Sequence, residues 1–348
     1  MSEIKVNNIQ SLSGTNGPVI SGTVEMDSTG AMSLPRGDTT YRGGRGRGVF
    51  GGGYDASAPY PGQQVLDYVT IATLGNAIDF GNLTTSTSEF GGCASSTRGI
   101  FMGGETFPTN INVIQYITIS ATGNTFDFGD LTLARRGTSC LSDNTRGICT
   151  GGSIAPTLTN FDTIDYVTIA TTGNASDFGS LVSKNIYAGN CASSTRGIIA
   201  GGVPVYSSPY PETNVIQYLT IATTGNTQEF GDLNNKVDGA VSASNSTRGL
   251  FFGGSDGASS DPGFVTAIDY ITIASLGDAI DFGDCNNGAY LSGAASSPTR
   301  AIFGDMAADA NVISYVTIMT TGNAQDFGDL TVARNQTAAC SDSHGGLG

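Results

Sequence analysis

The side chains with the greatest chemical potential are an arginine and an acid that recur at fixed intervals. Each arginine opens a short apolar segment, and each acid directly precedes a phenylalanine. A ring of arginines could bind an anion, but equal numbers of opposite charges, and the cost of isolated buried charges, favour structural ion pairs between neighbouring repeats. The predicted pairs draw on Arg98, Arg146, Arg196, Arg248 and Arg300 and on Asp79, Asp127, Asp177, Glu229 and Asp281.

The other reactive residue types do not form a catalytic or metal-binding pattern. The letters DFG recur, as at Asp127-Phe128-Gly129, without the glycine-rich loop, lysine strand and HRD motif of a kinase. The single histidine, His344, and the six cysteines show no zinc-ligand spacing. Four cysteines occupy the same place in successive repeats and are expected as small buried thiols: Cys93, Cys140, Cys191 and Cys340. We predict a non-enzymatic protein without cofactor or metal.

The elements that carry these residues form six repeats. The stretch VIQYITISATGNTFDFGDL, residues 113–131, has five close copies along the chain. Their tyrosines recur at a period of about 50 residues, which is typical of solenoids, propellers and arrays. The six copies contain Tyr68, Tyr116, Tyr166, Tyr218, Tyr270 and Tyr315.

Spacing within each repeat predicts four strands. The interval from tyrosine to phenylalanine, as from Tyr116 to Phe128, is identical in all six copies, and the interval from that phenylalanine to the next arginine is identical in five. We predict strands at the Arg-Gly segment, at 115–120, at 125–131 and at 137–143, with a tight Thr-Gly-Asn hairpin turn before the third. Only the connector between arginine and tyrosine varies in length. Both faces of the tyrosine strand are largely apolar, which favours radially packed blades over an open sandwich.

The chain's end is expected to close the ring. The tail NQTAACSDSHGG repeats the small-residue strand without a blade of its own, and the first repeat lacks that strand. We infer that residues 337–341 complete the first blade. The segment GDTTYRG, residues 37–43, is the alternative donor.

Charge and hydropathy exclude several partners. The formal net charge of −15 disfavours nucleic acid and anionic membranes, because both would be repelled. The N-terminus has no apolar signal core and no long apolar run follows, so we expect synthesis in a cytoplasm and no membrane insertion.

The repeat resembles the Kelch motif of galactose-oxidase-like β-propellers. The resemblance rests on a glycine pair, a tyrosine strand, an aromatic strand and a small-residue strand, and it covers residues 44–348. It departs from that motif because the chain has no tryptophan and phenylalanines such as Phe80 take its place. The fold it implies is all-β, a six-bladed propeller. An oxidase of that group would need histidine copper ligands that one histidine cannot supply.

Residues 1–43 are predicted to form a β-rich anchor arm. They contain too few apolar residues for a core of their own. MSEIKVNNIQ, SGTNGPV and LPRGDTTYR resemble the leaders of tail-fibre and other virion structural proteins of tailed phages, especially cyanophages. The resemblance implies localisation in the virion, attachment to other virion proteins through residues 1–43 and a possible homotrimer.

The variable connectors are the predicted binding surface. In an antiparallel four-stranded blade they lie on the same face as the blade-to-blade crossings, so their aromatic residues gather there. We predict that this face binds a host-surface glycan or protein, or a virion protein; ordinary surface loops are the alternative. The aromatic residues are Tyr54, Tyr60, Phe107, Tyr206, Tyr210 and Phe264.

The leading hypothesis is therefore a non-enzymatic phage virion protein that displays a propeller face. A bacterial Kelch-like adhesin or interaction scaffold is the alternative, and a carbohydrate-active enzyme is a more distant one. The receptor, the position on the particle and the oligomeric state do not follow from the sequence.

Overall fold

The fold is seen in a computed structural model of the chain. It describes residues 46–55, 62–155, 157, 159–205, 211–257, 264–305 and 311–347. The predicted anchor arm, residues 1–43, and the alternative closing segment, residues 37–43, lie outside the described residues.

Six antiparallel four-stranded sheets form the blades of a β-propeller, as the repeat predicts. We call the strands of a blade inner, second, third and outer, and number the blades from the one that contains Arg47. The inner strands of blades 1 to 6 are Ala338–Ser341, Gly91–Ala94, Ser139–Ser142, Gly189–Ala192, Val241–Ser244 and Ala294–Ser296. The second strands are Arg47–Gly51, Arg98–Met102, Arg146–Thr150, Arg196–Ala200, Arg248–Phe252 and Arg300–Gly304.

The third and outer strands contain the aromatic residues of the repeat. The third strands are Val65–Thr70, Val113–Thr118, Thr163–Thr168, Val215–Thr220, Ala267–Thr272 and Val312–Thr317. The outer strands are Ile78–Asn82, Phe126–Asp130, Ser176–Ser180, Gln228–Asp232, Ile280–Asp284 and Gln325–Asp329. In each blade the tyrosine and phenylalanine rings meet edge to face, with centroids 5.8 to 6.2 Å apart. The constant interval between these two residues therefore preserves one ring contact in every blade.

The C-terminal strand closes the ring in blade 1. Ala338–Ser341 pairs antiparallel with Arg47–Gly51, so strands from opposite ends of the propeller share one sheet. The Asp342 Oδ1 accepts the backbone N–H of Arg47 at 2.9 Å. In blade 2, where the same two strands are covalently joined, the Ser95 Oγ accepts the N–H of Arg98 at 3.1 Å. The hydrogen bond between the ends of these two separate strands thus matches one that the hairpin turn makes in blade 2. The predicted closure of the ring by the C-terminal strand is confirmed.

The apolar core lies between the blades. Each of six clusters of buried side chains combines residues from neighbouring blades. One example joins Leu66 and Phe80 of blade 1 to Phe101 and Ile117 of blade 2. Burial of both sheet faces explains why the third strand is apolar on both sides. The six cysteines are free and buried, as expected for small core thiols.

The loop between third and outer strands differs from the predicted tight hairpin turn. Residues 119–125 of blade 2 reach the outer strand of blade 1, where the N–H of Gly123 donates to the Phe80 carbonyl at 2.7 Å. The Asn124 Oδ1 accepts the N–H of Asn82 at 3.0 Å. The glycine contact recurs at all six blade boundaries, the others being Gly173 to Phe128, Gly225 to Phe178, Gly277 to Phe230, Gly322 to Phe282 and Gly75 to Phe327. The Gly-Asn pair is therefore retained for bonding between blades and not for a tight turn.

The described parts of the connectors lie beside the blade-to-blade crossings. Bridges join Ser88 to Glu105, Arg136 to Ser153, Ile186 to Val203, Asp238 to Ser255 and Tyr54 to Asn335. Two connectors also form short ribbons, Glu105–Thr106 with Thr109–Asn110 and Ser153–Ile154 with Thr159–Asn160. We call this side of the propeller the connector face. The side with the loops between third and outer strands is the opposite face.

Helix is almost absent from the described part of the chain. A single 3-10 turn, Gly345–Leu347, follows the last strand. Within the described ranges, no helix has the length and apolar character needed to cross a membrane.

Candidate binding site at the mouth of the central channel

Six equivalent residues surround the end of the central channel on the connector face. Each lies nine positions after the phenylalanine of an outer strand, where a crossing enters an inner strand. They are Glu89, Gly137, Tyr187, Gly239, Leu291 and Gln336, and we call them the mouth residues. All have positive φ, between 47° and 64°. Left-handed backbone costs a non-glycine residue roughly 1–2 kcal/mol, and such strained positions are concentrated at ligand sites.

Two of the mouth positions require glycine because bulky side chains lie against them. A Cβ added at Gly137 would overlap Ile186 and approach the ring of Tyr187, and one at Gly239 would overlap the ring of Tyr290. Both glycines also have positive φ. The two glycines thus lie on either side of Tyr187 in the ring and leave room for the rings of Tyr187 and Tyr290.

Glu89 is the centre of a charged cluster at the mouth. Its side chain is 7% exposed, and its Oε2 accepts the hydroxyl of Tyr187 at 2.8 Å. The Arg136 Nη1 lies 3.4 Å from the Glu89 Oε1 and 2.9 Å from the Glu105 Oε2. Burial raises the pKa of Glu89, although Arg136 and the Tyr187 hydroxyl oppose the shift. One arginine therefore holds two acids in a partly desolvated site.

Asp238 forms a second polar contact on the crossing that leads to blade 5. The hydroxyl of Tyr290 donates to its Oδ2 at 3.3 Å. Burial, and then the nearby charge of Glu212, raise the pKa of Asp238 to about 7. The ring of Phe264 packs on Tyr290 with centroids 5.2 Å apart. This contact connects the connector of blade 5 to the crossings around the mouth.

The mouth opens into a cavity of about 140 Å³. All six mouth residues line it, together with the entering ends of the inner strands. A deeper space of about 60 Å³ follows along the axis and reaches His344. The channel is therefore widest at the connector face.

The C-terminal tail forms the floor of the channel. The Nε2 of His344 lies 2.7 Å from the carbonyl oxygen of Ala94 in blade 2, and its Nδ1 accepts the N–H of Gly346 at 3.1 Å. The Ser343 hydroxyl donates to the Ser296 carbonyl of blade 6 at 3.1 Å. Burial lowers the pKa of His344, because it disfavours the charged ring. The tail, which continues from the inner strand of blade 1, thus bonds to blades 2 and 6 on either side of it.

The predicted aromatic residues are distributed over several connectors. Tyr54 is 37% exposed on blade 1 and Phe107 is 61% exposed on blade 2, whereas Phe264 is half-buried against Tyr290. Tyr60, Tyr206 and Tyr210 lie outside the described residues. Phe264, through the Tyr290 ring, and Tyr54, through its backbone pairing with Asn335, are the described members of the set that adjoin the crossings at the mouth.

The predicted arginine-to-acid pairs are not found among the described residues. The arginines stack on the tyrosine of their own blade, 4.1 to 4.9 Å from the ring centroid. Each also donates an Nη1 hydrogen bond to a carbonyl of the next blade: Arg98 to Ile169, Arg146 to Ile221, Arg196 to Ile273, Arg248 to Ile318, Arg300 to Ile71 and Arg47 to Ile119. The acids Asp79, Asp127, Asp177, Glu229 and Asp281 are exposed. The arginines do connect blades, but the carbonyl and the tyrosine ring replace the carboxylate as partners.

The ion pairs of the described residues lie on the crossings instead. Arg135 pairs with Asp165, and Arg334 with Asp67, each at 2.9 Å and fully buried. Arg136 makes the other pairs, with Glu89 and Glu105. No group of three or more His, Cys, Asp or Glu side chains within the described ranges is arranged to hold a metal ion.

The mouth residues are a site that the sequence reasoning missed, because it treated loop length as the main departure from repetition. Aligning the six repeats on their phenylalanine gives a signal. The strands keep their residue types, whereas the ninth position after the phenylalanine holds Glu, Gly, Tyr, Gly, Leu and Gln. The mouth residues surround the cavity with both hydrogen-bond donors and hydrogen-bond acceptors. This arrangement is suited to binding a polar molecule.

Comparison with known proteins does not assign the chain to a family. No protein-family model matches the sequence, and no curated protein matches it. The chain is a six-bladed β-propeller, a scaffold suited to interaction roles.

Proposed function

We propose that the protein is a non-enzymatic phage virion protein whose connector face binds a host surface or a neighbouring virion protein. In this proposal residues 1–43 attach the propeller to the particle. The support for virion localisation is the leader-like sequence of those residues. The finer Kelch-like assignment is supported by the glycine pair and the aromatic strands of the repeat.

The observation that carries the binding role is the uneven distribution of departures from the repeat. The face with the loops between third and outer strands keeps the same glycine and arginine contacts around the ring, and an asparagine contact that only blade 5 replaces, with Asp278. The connector face holds the connectors of variable length and the six dissimilar mouth residues. Because architecture demands the same residues in every blade, residues that differ on one face are available for recognition.

Two exposed phenylalanines provide a matched test of the binding face. Phe107, on a connector, is 61% exposed, and Phe126, on an outer strand, is 62% exposed. Phe107→Ser should reduce binding of the full-length chain to host cells or to its particle partner, because it removes an aromatic contact. Phe126→Ser should leave binding unchanged. Equal binding by both variants and the unmodified chain would contradict the choice of face.

Particle association separates the virion proposal from its alternatives. The full chain should co-sediment with purified particles, and a chain without residues 1–40 should not. A soluble monomer that never associates with particles would rule out the virion role and favour the bacterial Kelch-like adhesin. Hydrolysis of any glycan by the purified chain would favour the carbohydrate-active enzyme.

A further inference from the structure

A chain of backbone hydrogen bonds runs around the channel mouth and is interrupted on one side. Four mouth residues donate their N–H to the carbonyl of the preceding one: Gly137 to Glu89 at 2.8 Å, Tyr187 to Gly137 at 3.2 Å, Gly239 to Tyr187 at 2.8 Å and Leu291 to Gly239 at 2.9 Å. Within the described residues, no backbone hydrogen bond continues from Leu291 to Gln336 or from Gln336 to Glu89. The belt of hydrogen bonds therefore spans five of the mouth residues and leaves an open arc at blades 6, 1 and 2.

The three residues of the open arc bring hydrogen-bonding groups to the border of the cavity. Among the described residues, the N–H groups of Gln336 and Glu89 and the carbonyls of Leu291 and Gln336 have no backbone partner. The Gln336 side-chain amide adds a further donor and acceptor, and all three residues line the cavity of about 140 Å³. Such groups are costly to bury without a partner. A polar ligand in the arc would satisfy donors and acceptors at once.

The chemistry of the arc selects against charged ligands. The net charge of −15 and the acids Glu89, Glu105 and Asp238 near the mouth disfavour an anion. Glu89 and Glu105 are already held by Arg136, so a second cation would have to compete with that guanidinium. Paired donors and acceptors match hydroxyl groups, since each hydroxyl donates one hydrogen bond and accepts others.

The volume of the cavity matches a small ring. An engineered cavity of about 150 Å³ admits a benzene ring, so a space of about 140 Å³ accommodates a ring of that size, and the hydroxyl groups of a sugar would extend toward the open mouth. Tyr187 and Leu291 also line the cavity, where their side chains lie against Gly137 and Gly239 and supply apolar surface. A pyranose combines these requirements, because its hydroxyl groups lie around a ring with apolar C–H faces.

We infer that the channel mouth binds one neutral pyranose ring through the open arc at Leu291, Gln336 and Glu89. The inference deepens the proposed function and rests on it, because it gives the connector face a glycan ligand. The bound ring would be a terminal or branch sugar of a surface glycan, since the tail at His344 lies against the axial space below the mouth.

The direct test is to titrate the full-length chain with the methyl pyranosides of four neutral sugars and to measure binding by calorimetry or ligand-observed NMR. The four sugars are glucose, galactose, mannose and N-acetylglucosamine. Sialic acid and glucosamine serve as anionic and cationic controls. We expect at least one neutral pyranoside to bind, with neither charged sugar binding more tightly. Absence of neutral-sugar binding, or a preference for a charged sugar, would overturn the inference.

Gln336→Gly locates the binding. Glycine suits the positive φ of 52° at this position, so the variant keeps the backbone while losing the amide. We expect about tenfold weaker binding, the effect of losing one to two hydrogen bonds. Gln325→Ala, on the exposed outer strand of blade 6, is the control and should bind normally. Unchanged binding by a folded Gln336→Gly variant would place the sugar elsewhere and reject the arc.

The outcomes separate this inference from the proposed function. If no pyranoside binds but Phe107→Ser still weakens attachment to host cells, the sugar site is wrong and the binding face stands. If a pyranoside binds at the arc but the chain never associates with particles, the virion role is wrong and the sugar site stands.

Discussion

The two faces of the propeller solve different problems with the same repeat. On the face with the loops between third and outer strands, six glycines donate to six phenylalanine carbonyls, and six arginines bridge to the next blade. At the channel mouth, six equivalent positions hold five different residue types, and four of the six are non-glycine residues with left-handed backbone. Positions that keep the same residue type in every blade make the contacts that hold the ring together. Positions whose residue type varies from blade to blade lie on the surface that is available to bind a ligand or partner.

The largest predicted effect is at a residue that belongs to both regions. Asp67 lies on the third strand of blade 1, and its carboxylate accepts from Arg334 at 2.9 Å and from the Thr331 hydroxyl at 2.6 Å on the crossing that leads into blade 1. Both charged side chains are fully buried. Asp67→Ala should lower the free energy of unfolding by about 3–5 kcal/mol, because it leaves the Arg334 charge buried without its partner.

Urea unfolding of Asp67→Ala and of the exposed control Asp79→Ala measures this effect. The control should stay within about 0.5 kcal/mol of the unmodified chain. Asp67→Asn, which keeps an acceptor but removes the charge, should fall between the two. Equal stability of Asp67→Ala and Asp79→Ala would mean that the buried pair does not hold the crossing to the blade.

A pH profile distinguishes the crossings around the mouth from the repeating contacts. Asp238 has its pKa raised from 3.8 to about 7, mainly by burial. Between these values the folded chain binds a proton that the unfolded chain has released, so this residue makes stability fall as the pH rises from about 4 to about 7. The effect is fully developed above pH 7 and absent well below pH 4.

Asp238→Asn should remove this contribution. The difference in unfolding free energy between Asp238→Asn and the unmodified chain, measured in urea, should favour the variant more at pH 8 than at pH 5. The exposed Asp79→Asn is the control for replacing an aspartate with asparagine on the surface. Parallel pH profiles for Asp238→Asn and the unmodified chain would show that the crossing does not desolvate this carboxylate.

Much of the fold could be predicted because it is encoded by spacing. The constant interval between tyrosine and phenylalanine, as at Tyr116 and Phe128, corresponds to an edge-to-face ring contact. The C-terminal strand has no blade of its own, and blade 1 was the blade that lacked an inner strand. Partners were harder to predict than positions. Arg98 and Asp127 recur in equal number, but sequence does not reveal that the arginine faces a tyrosine ring and a carbonyl while the acid faces solvent.

The mouth could not be predicted for a different reason. Its residues meet through six crossings that are far apart in sequence, as the hydrogen bond between Tyr187 and Glu89 illustrates. Gln336 and Leu291 have backbone groups that make no backbone hydrogen bond within the described ranges, which depends on backbone geometry that residue type alone does not encode. The variation at the ninth position after the phenylalanine was visible in the sequence. That the six positions meet around one cavity could be seen only in the closed propeller.

The smallest predicted effect tests the corrected partnership of the repeating arginines. Arg98 stacks 4.4 Å from the Tyr116 ring centroid and donates to the Ile169 carbonyl at 2.7 Å, so Arg98→Ala should cost about 2 kcal/mol from the lost hydrogen bond and ring contact. Asp127→Ala should change unfolding free energy by less than about 0.5 kcal/mol, because this carboxylate is exposed. If the two residues were an ion pair, the double variant would show a coupling energy; without a pair their effects should add. Urea unfolding of the two single variants and the double variant measures this coupling energy. A clear coupling would mean that the acid is the partner of the arginine after all. The distinction between arginines that join blades and acids that face solvent would then be wrong.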